Sequence, residues 1–249
     1  MFKIIISLSI FFLSNDLSIS EISFKVIKKG SSDRRFIWLH GDEQTARMAL
    51  DDHMSNGQGI AYYIKNDKTR EVLVSGGLID PNRIFSSIGA LKNINKYNPQ
   101  WAQSKKKTVL DAMDRDREKF LNILFPDSGE VVIALHNNFK GYNVKLEIPK
   151  SDTVSIKKDQ NPRDFYLCTN RRDFEILSKS PFNVVLQESY PKKDDGSLSW
   201  AAVKWGVRYV NIETRLGWLS MQKRMLRYAN EHLPKVLLHN MYACPCPCP

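Results

Sequence analysis

The stretch Phe36-Ile37-Trp38-Leu39-His40-Gly41-Asp42-Glu43 decides how this chain is read. Its first four residues are apolar without polar alternation, as expected of a strand covered by helices on both faces of its sheet. It then turns abruptly to His, Gly and two acids, and a helix-like segment follows over residues 43–54. Strand, sharp turn and helix in succession form the repeating unit of an α/β domain. Residues 131–135 and 207–212 repeat the continuous apolar pattern. Residues 22–27, 60–64, 71–74 and 184–187 add shorter β-branched and aromatic runs. Helical spacing marks residues 107–124, 171–178 and 217–233. The expectation is a single α/β domain with a mixed, mostly parallel sheet flanked by helices. In such sheets, functional residues gather beyond the carboxyl ends of the strands.

Composition agrees with one globular unit. Of 249 residues, 42% are hydrophobic and 26% charged, and 12 Gly with 11 Pro are too few for a low-complexity chain. No internal stretch approaches the ~20 apolar residues of a membrane span. The net charge of +10 favours anionic surroundings without choosing among them. Lys105–Lys107 reads as a solvated helix entry, and no nucleic-acid-binding motif accompanies it. Residues 1–20 read as an export signal. Lys3 precedes a ten-residue apolar stretch, and Ser18 and Ser20 suit a cut before Glu21. The expected location is periplasmic or secreted, with a domain over 21–239. A tail over 240–249 alternates Cys244, Cys246 and Cys248 with proline. Cys168 lies inside the domain, and pairing among the four cysteines stays open. Residues 93–107 and 191–199 read as polar loops, the second as a flap or a surface loop.

Four short motifs carry chemistry. His40 and Glu43 flank a strand-to-helix turn, where an imidazole and a carboxylate suit zinc. The bland alternative is an acidic helix start favoured by the helix dipole. His136, in Leu135-His136-Asn137-Asn138, ends a second apolar strand and would complete a set of three protein ligands with one open position, the catalytic zinc pattern. Asn82 and Arg83, in Asp80-Pro81-Asn82-Arg83-Ile84-Phe85, can hold a carboxylate, because a guanidinium donates two parallel hydrogen bonds. An ordinary turn is the alternative there. Glu213, in Asn211-Ile212-Glu213-Thr214-Arg215-Leu216-Gly217, can serve as a general base, or merely pair with Arg215. Glu188 is its rival, since it too follows an apolar strand.

In this order, the four motifs resemble the zinc carboxypeptidase superfamily, including its aspartoacylase and succinylglutamate desuccinylase branch. The resemblance covers roughly residues 34–230. Asp80 to Phe85 looks like the branch's DLNR-x-F, with Pro81 in place of Leu, and LHNN and NIETRLG look like its later segments. It implies that His40, Glu43 and His136 bind Zn2+, that Arg83 with Asn82 holds a substrate carboxylate, and that Glu213 is the base and then the acid. An oxyanion-stabilising arginine and a capping tyrosine belong to the family. Arg70 is a candidate for the first by proximity, and Tyr190 for the second.

The leading expectation is an exported zinc-dependent amide hydrolase. It would act on a small carboxylate-bearing peptide, with cell-wall peptidoglycan stem peptide as one source; deacylation of an N-acyl amino acid at the same zinc is an alternative. A non-catalytic binder of anionic ligands on the same fold is the rival, favoured if Glu213 turns away from the metal or residues 93–107 plug the cleft.

Overall fold

The computed structural model describes residues 16–66, 68–139, 141–191 and 193–235. The first fifteen residues and the cysteine–proline tail lie outside the described residues. Along the chain the strands are β1 (Leu17–Ile19), β2 (Ile22–Lys29), β3 (Arg35–Trp38), β4 (Gly59–Ile64), β5 (Val72–Val74), β6 (Gly77–Ile79), β7 (Val132–Asn138), β8 (Thr153–Ser155), β9 (Phe165–Cys168), β10 (Asn183–Leu186) and β11 (Tyr209–Arg215). The helices are α1 (Gln44–Asn56), α2 (Ser87–Tyr97), α3 (Gln103–Leu124), α4 (Val144–Glu147), α5 (Arg171–Leu177), α6 (Leu198–Trp205) and α7 (Leu219–His232). Short 3-10 turns cover Pro81–Arg83 and Ile148–Lys150.

Nine strands form one mixed sheet in the order β1-β2-β4-β3-β7-β11-β9-β10-β8. Its centre, β4-β3-β7-β11, is parallel throughout. Antiparallel pairs lie at the margins and between β11 and β9. Every residue of β7, β9 and β10 is buried. Successive side chains point to opposite faces of a strand, so helices must cover both. Helix α1 packs on α7, which also meets α5, while α2 packs on α3. The continuous apolar runs of the sequence are thus the strands that position the site.

Two expectations change. The strand expected over residues 71–74 is real but pairs only with β6, as a separate two-stranded hairpin. Residues 93–107 are mostly helical rather than a loop. Ser86 caps α2 by accepting from the Gly89 amide, and Ala90 and Ile94, four apart, are buried. The lysine run is the first turn of α3, where Lys106 is buried while Lys107 pairs with Asp111 at 2.7 Å. Residues 193–197 form a loop, as expected, that leads into α6 at Leu198 and packs on the Pro81–Arg83 turn. The Phe85 amide donates to the Gly196 carbonyl at 3.0 Å, and a Cβ on Gly196 would lie 2.4 Å from the Arg83 carbonyl oxygen. The cut expected before Glu21 falls in the turn between β1 and β2, and Leu17 and Ile19 are buried.

Candidate metal centre

The strand β3 delivers His40, and the turn after it delivers Glu43 at the entrance to α1. The turn is held from several sides. The Trp38 indole donates to the Glu43 carbonyl at 3.0 Å, and Asn137 Oδ1 accepts from the Ala46 amide at 2.7 Å. Gly41 allows a close approach as well as a turn. A Cβ at Gly41 would stand 2.2 Å from the Asn66 carbonyl oxygen. Only glycine lets the segment that leads into Arg70 press so close.

His136 sits within β7, and the parallel register sets Glu213 of β11 directly across from it. His40 Nδ1 lies 2.8 Å from Glu43 Oε1, and His136 Nδ1 lies 2.9 Å from Glu43 Oε2. One ligand atom from each of the three residues falls within 4.8 Å of the others, and all three are buried. The predicted metal ligands, drawn from segments some 90 residues apart, therefore converge.

The surroundings fit a cation. His40 turns its other nitrogen to Asp80, 2.9 Å from Oδ1. This carboxylate–histidine pairing fixes a ring so that its remaining nitrogen faces a metal. Asp80 went unassigned in the sequence, where it passed as turn chemistry. It also caps the Pro81–Arg83 turn by accepting from the Asn82 amide at 2.9 Å. One carboxylate thus ties a metal-facing histidine to the turn that carries Asn82 and Arg83. An acid two residues before the Asn-Arg pair was the available signal.

Electrostatics follow from the crowding. Burial opposes charge on His40, but the Glu43 carboxylate and the bonds from Asp80 and Glu43 outweigh it and raise the imidazole from 6.5 to about 9. Burial alone would raise Glu43, yet His40 and His136 hold it well below the usual carboxylate range. Both shifts describe a negatively charged pocket asking for positive charge, which protons or a metal ion can supply. His, His and Glu with oxygen and nitrogen donors match zinc chemistry.

The centre opens on a cleft of about 470 Å³. Arg70, Asn82, Arg83, His136 and Glu213 all line it. Arg70 donates to Glu43 Oε1 at 2.9 Å with its side chain 39% exposed, so it reaches both the centre and the cleft. Asn82 Oδ1 accepts from the Leu198 amide at 3.0 Å, which fixes the turn; Arg83 Nη1 donates to the Asn82 carbonyl at 2.8 Å, and among the described residues its one ionic partner is Asp195 at 3.9 Å. Glu213 accepts from Asn211 at 3.0 Å and Asn138 at 3.4 Å. Burial lifts its pKa above the ordinary carboxyl value, the His136 imidazole partly opposes this, and Glu43 reinforces it. Arg215, its suspected partner, pairs with Asp164 at 2.8 Å instead.

Two alternates are not brought to the site. Glu188 forms an exposed ion pair with Arg171 and lies outside the cleft. Tyr190 is exposed and away from the cleft, whereas Tyr142 and Tyr209 line it. None of residues 93–107 lines the cleft.

No protein-family model matches the chain, and no curated protein does. Among solved structures, the chain is similar to a succinylglutamate desuccinylase from Silicibacter sp. TM1040, at 16% identity and a TM-score of 0.47, over 85% of this chain and 60% of that one. It is likewise similar to a succinylglutamate desuccinylase/aspartoacylase from Rhodobacter sphaeroides, at 14% identity and a TM-score of 0.45, over 87% of this chain and 63% of that one. The chain thus spans about three-fifths of the length of these two proteins.

Proposed function

We propose that this protein is an exported zinc-dependent amide hydrolase acting on a small peptide or N-acyl amino acid that ends in a carboxylate. The observation that carries the reading is the convergence of His40, Glu43 and His136 with Glu213 across the strand pair from His136. His40, Glu43 and His136 would hold the ion. Zinc supplies Lewis acidity, polarising a carbonyl and bringing the pKa of water to about 7. Arg83 binds the substrate carboxylate, with Asn82 fixing the turn that presents it. Arg70, at the cleft edge of the centre, donates to the oxygen that gains charge as water adds to the scissile carbonyl. Glu213 takes a proton from the attacking water and passes it to the leaving amine. Its burial raises its pKa above the ordinary carboxyl value, the direction that helps a carboxylate accept and return a proton.

The rival, a binding protein without turnover, called for a base turned away or a blocked cleft. The placement of Glu213 and the lining of the cleft favour hydrolysis. Peptidoglycan stem peptide fits the carboxylate requirement and an exported, basic chain, and hydrolysis of purified stem peptides tests that source directly. Glu213→Gln is the deciding variant. It is expected to retain about one zinc per chain by metal analysis while losing amidase turnover at least 100-fold, in keeping with the worth of a general base. Full activity in Glu213→Gln would end the assignment of the base, and a wild-type protein that takes up no zinc would end the metal reading.

A further inference from the structure

At the cleft wall one buried polar atom has no partner among the described residues. Asn211 is more than nine-tenths buried and lines the cleft on the same face of β11 as Glu213, two residues on. Its Nδ2 donates to Glu213 Oε1 at 3.0 Å. Ionised, as a general base must be before it takes a proton, the Glu213 carboxylate only accepts, which sets the amide with its nitrogen toward Glu213. That leaves Oδ1 buried, with no partner among the described residues. A buried acceptor without a donor is costly. Across the strand pair stands Leu167, which lines the cleft and has no donor in its side chain.

The charges around this oxygen narrow the partner further. Glu213 lies on one side. Glu147, a buried carboxylate lining the same cleft, accepts from the Tyr142 hydroxyl at 3.1 Å, from Gln187 at 2.8 Å and from Lys150, another lining residue, at 3.0 Å, so its charge is already matched. A second anionic group placed against Oδ1 itself would meet an acceptor beside the Glu213 carboxylate. A hydrocarbon would leave Oδ1 dry and unpaired. An N–H donor meets neither difficulty.

We infer that Asn211 is a specificity-determining residue: its Oδ1 receives an N–H donor, amide or ammonium, at the end of the side chain of the residue whose carboxylate Arg83 holds. The inference rests on the hydrolase reading and narrows its substrate class to residues with nitrogen-bearing polar side chains, against acidic or aliphatic ones.

The test is a panel of Nα-acetyl amino acids of similar length, hydrolysed by the zinc-loaded full chain. Acetyl-glutamine and acetyl-ornithine supply the donor, acetyl-methionine replaces it with an apolar end, and acetyl-glutamate with an anion. The donor compounds are expected to exceed the other two by about tenfold or more in kcat/KM, since a site built for a hydrogen bond rejects analogues that lack it. Asn211→Thr keeps a hydroxyl beside Glu213 and suits a strand, but withdraws the amide oxygen. In this variant the preference is expected to shrink to within about threefold, whatever happens to the absolute rate, because the ratio isolates recognition from catalysis. Equal rates across the wild-type panel, a preference for acetyl-methionine or acetyl-glutamate, or an undiminished preference in Asn211→Thr each overturns the inference. If Asn211→Thr does not fold, the wild-type panel decides alone. If no compound is hydrolysed, turnover fails but recognition is still decided by calorimetry. Glutamine and ornithine must then bind the wild-type protein about tenfold tighter than norleucine, and equal or absent binding overturns it.

Discussion

Asp80 concentrates two duties in one side chain, orienting His40 and capping the turn that presents Arg83. The duties are separable by substitution. Asp80→Ala removes both, and is expected to lower zinc affinity about 10–100-fold while raising KM through the loosened turn. Asp80→Asn keeps an acceptor for the Asn82 amide but loses the charge facing His40. Its zinc affinity should fall while KM moves much less, and a competitive chelator titration beside steady-state kinetics reads the two. Matching changes in both variants would contradict the division. His40, Glu43, His136, Arg83 and Glu213 were legible as candidates because a polar residue stands out where an apolar run ends, although His136 and Glu213 lie inside β7 and β11 rather than beyond them. Asp80, Asn211 and Tyr142 were not. Their residue types are ordinary for a turn, a strand and a loop, and only tertiary neighbours give them meaning.

At the level of elements, β1 makes the sharpest prediction. It adds a strand to the sheet margin, buries Leu17 and Ile19, and places the Ser20 amide 2.8 Å from Asp116 on α3. A chain beginning at Glu21 should therefore be less stable than one beginning at Asp16 by about 3–5 kcal/mol, counting two aliphatic side chains returned to water. Urea denaturation of the two chains measures this, and equal midpoints would mean that β1 contributes nothing. The same comparison bears on export, since it sets the stability that a cut before Glu21 would leave. The long strands were readable from their apolar runs. Helix α2 and the start of α3 were not. Asn93, Asn95, Lys96 and Lys105–Lys107 give a polar sequence that resembles a loop, and the buried members of this stretch, Asn93, Ile94 and Lys106, depend on neighbours distant in the chain.

For the whole molecule, the centre joins β3, α1 and β7, so metal and proton both act as clasps between remote segments. His40 rises from 6.5 to about 9 on folding without metal. Folding then favours its protonated form, and that stabilisation is complete below pH 6.5 and is lost as pH climbs through about 9. Zinc needs the neutral imidazole and gains affinity over the same range. Chelator-treated protein should melt at a lower temperature at pH 9.5 than at pH 6.5, whereas saturating zinc should raise the melting temperature at both and by more at pH 9.5. A melting temperature of the metal-free protein that is flat with pH would sink this coupling. The α/β class was evident from the alternation of elements, but the strand order was not. Nothing local tells β11 to insert between β7 and β9.

The pairing of β7 with β11 has one more consequence. Both strands are buried almost throughout, so greasy contacts alone barely distinguish one alignment from its neighbour. The distinction falls to the Asn137 side chain, which donates to Thr214 at 3.1 Å and to Gln222 on α7 at 3.0 Å, inside the apolar interior. A slip by a single residue would strand those amides and swing Glu213 to the opposite face. A small buried amide therefore acts as a proofreader of assembly: a misaligned molecule is both poorly stable and chemically inert.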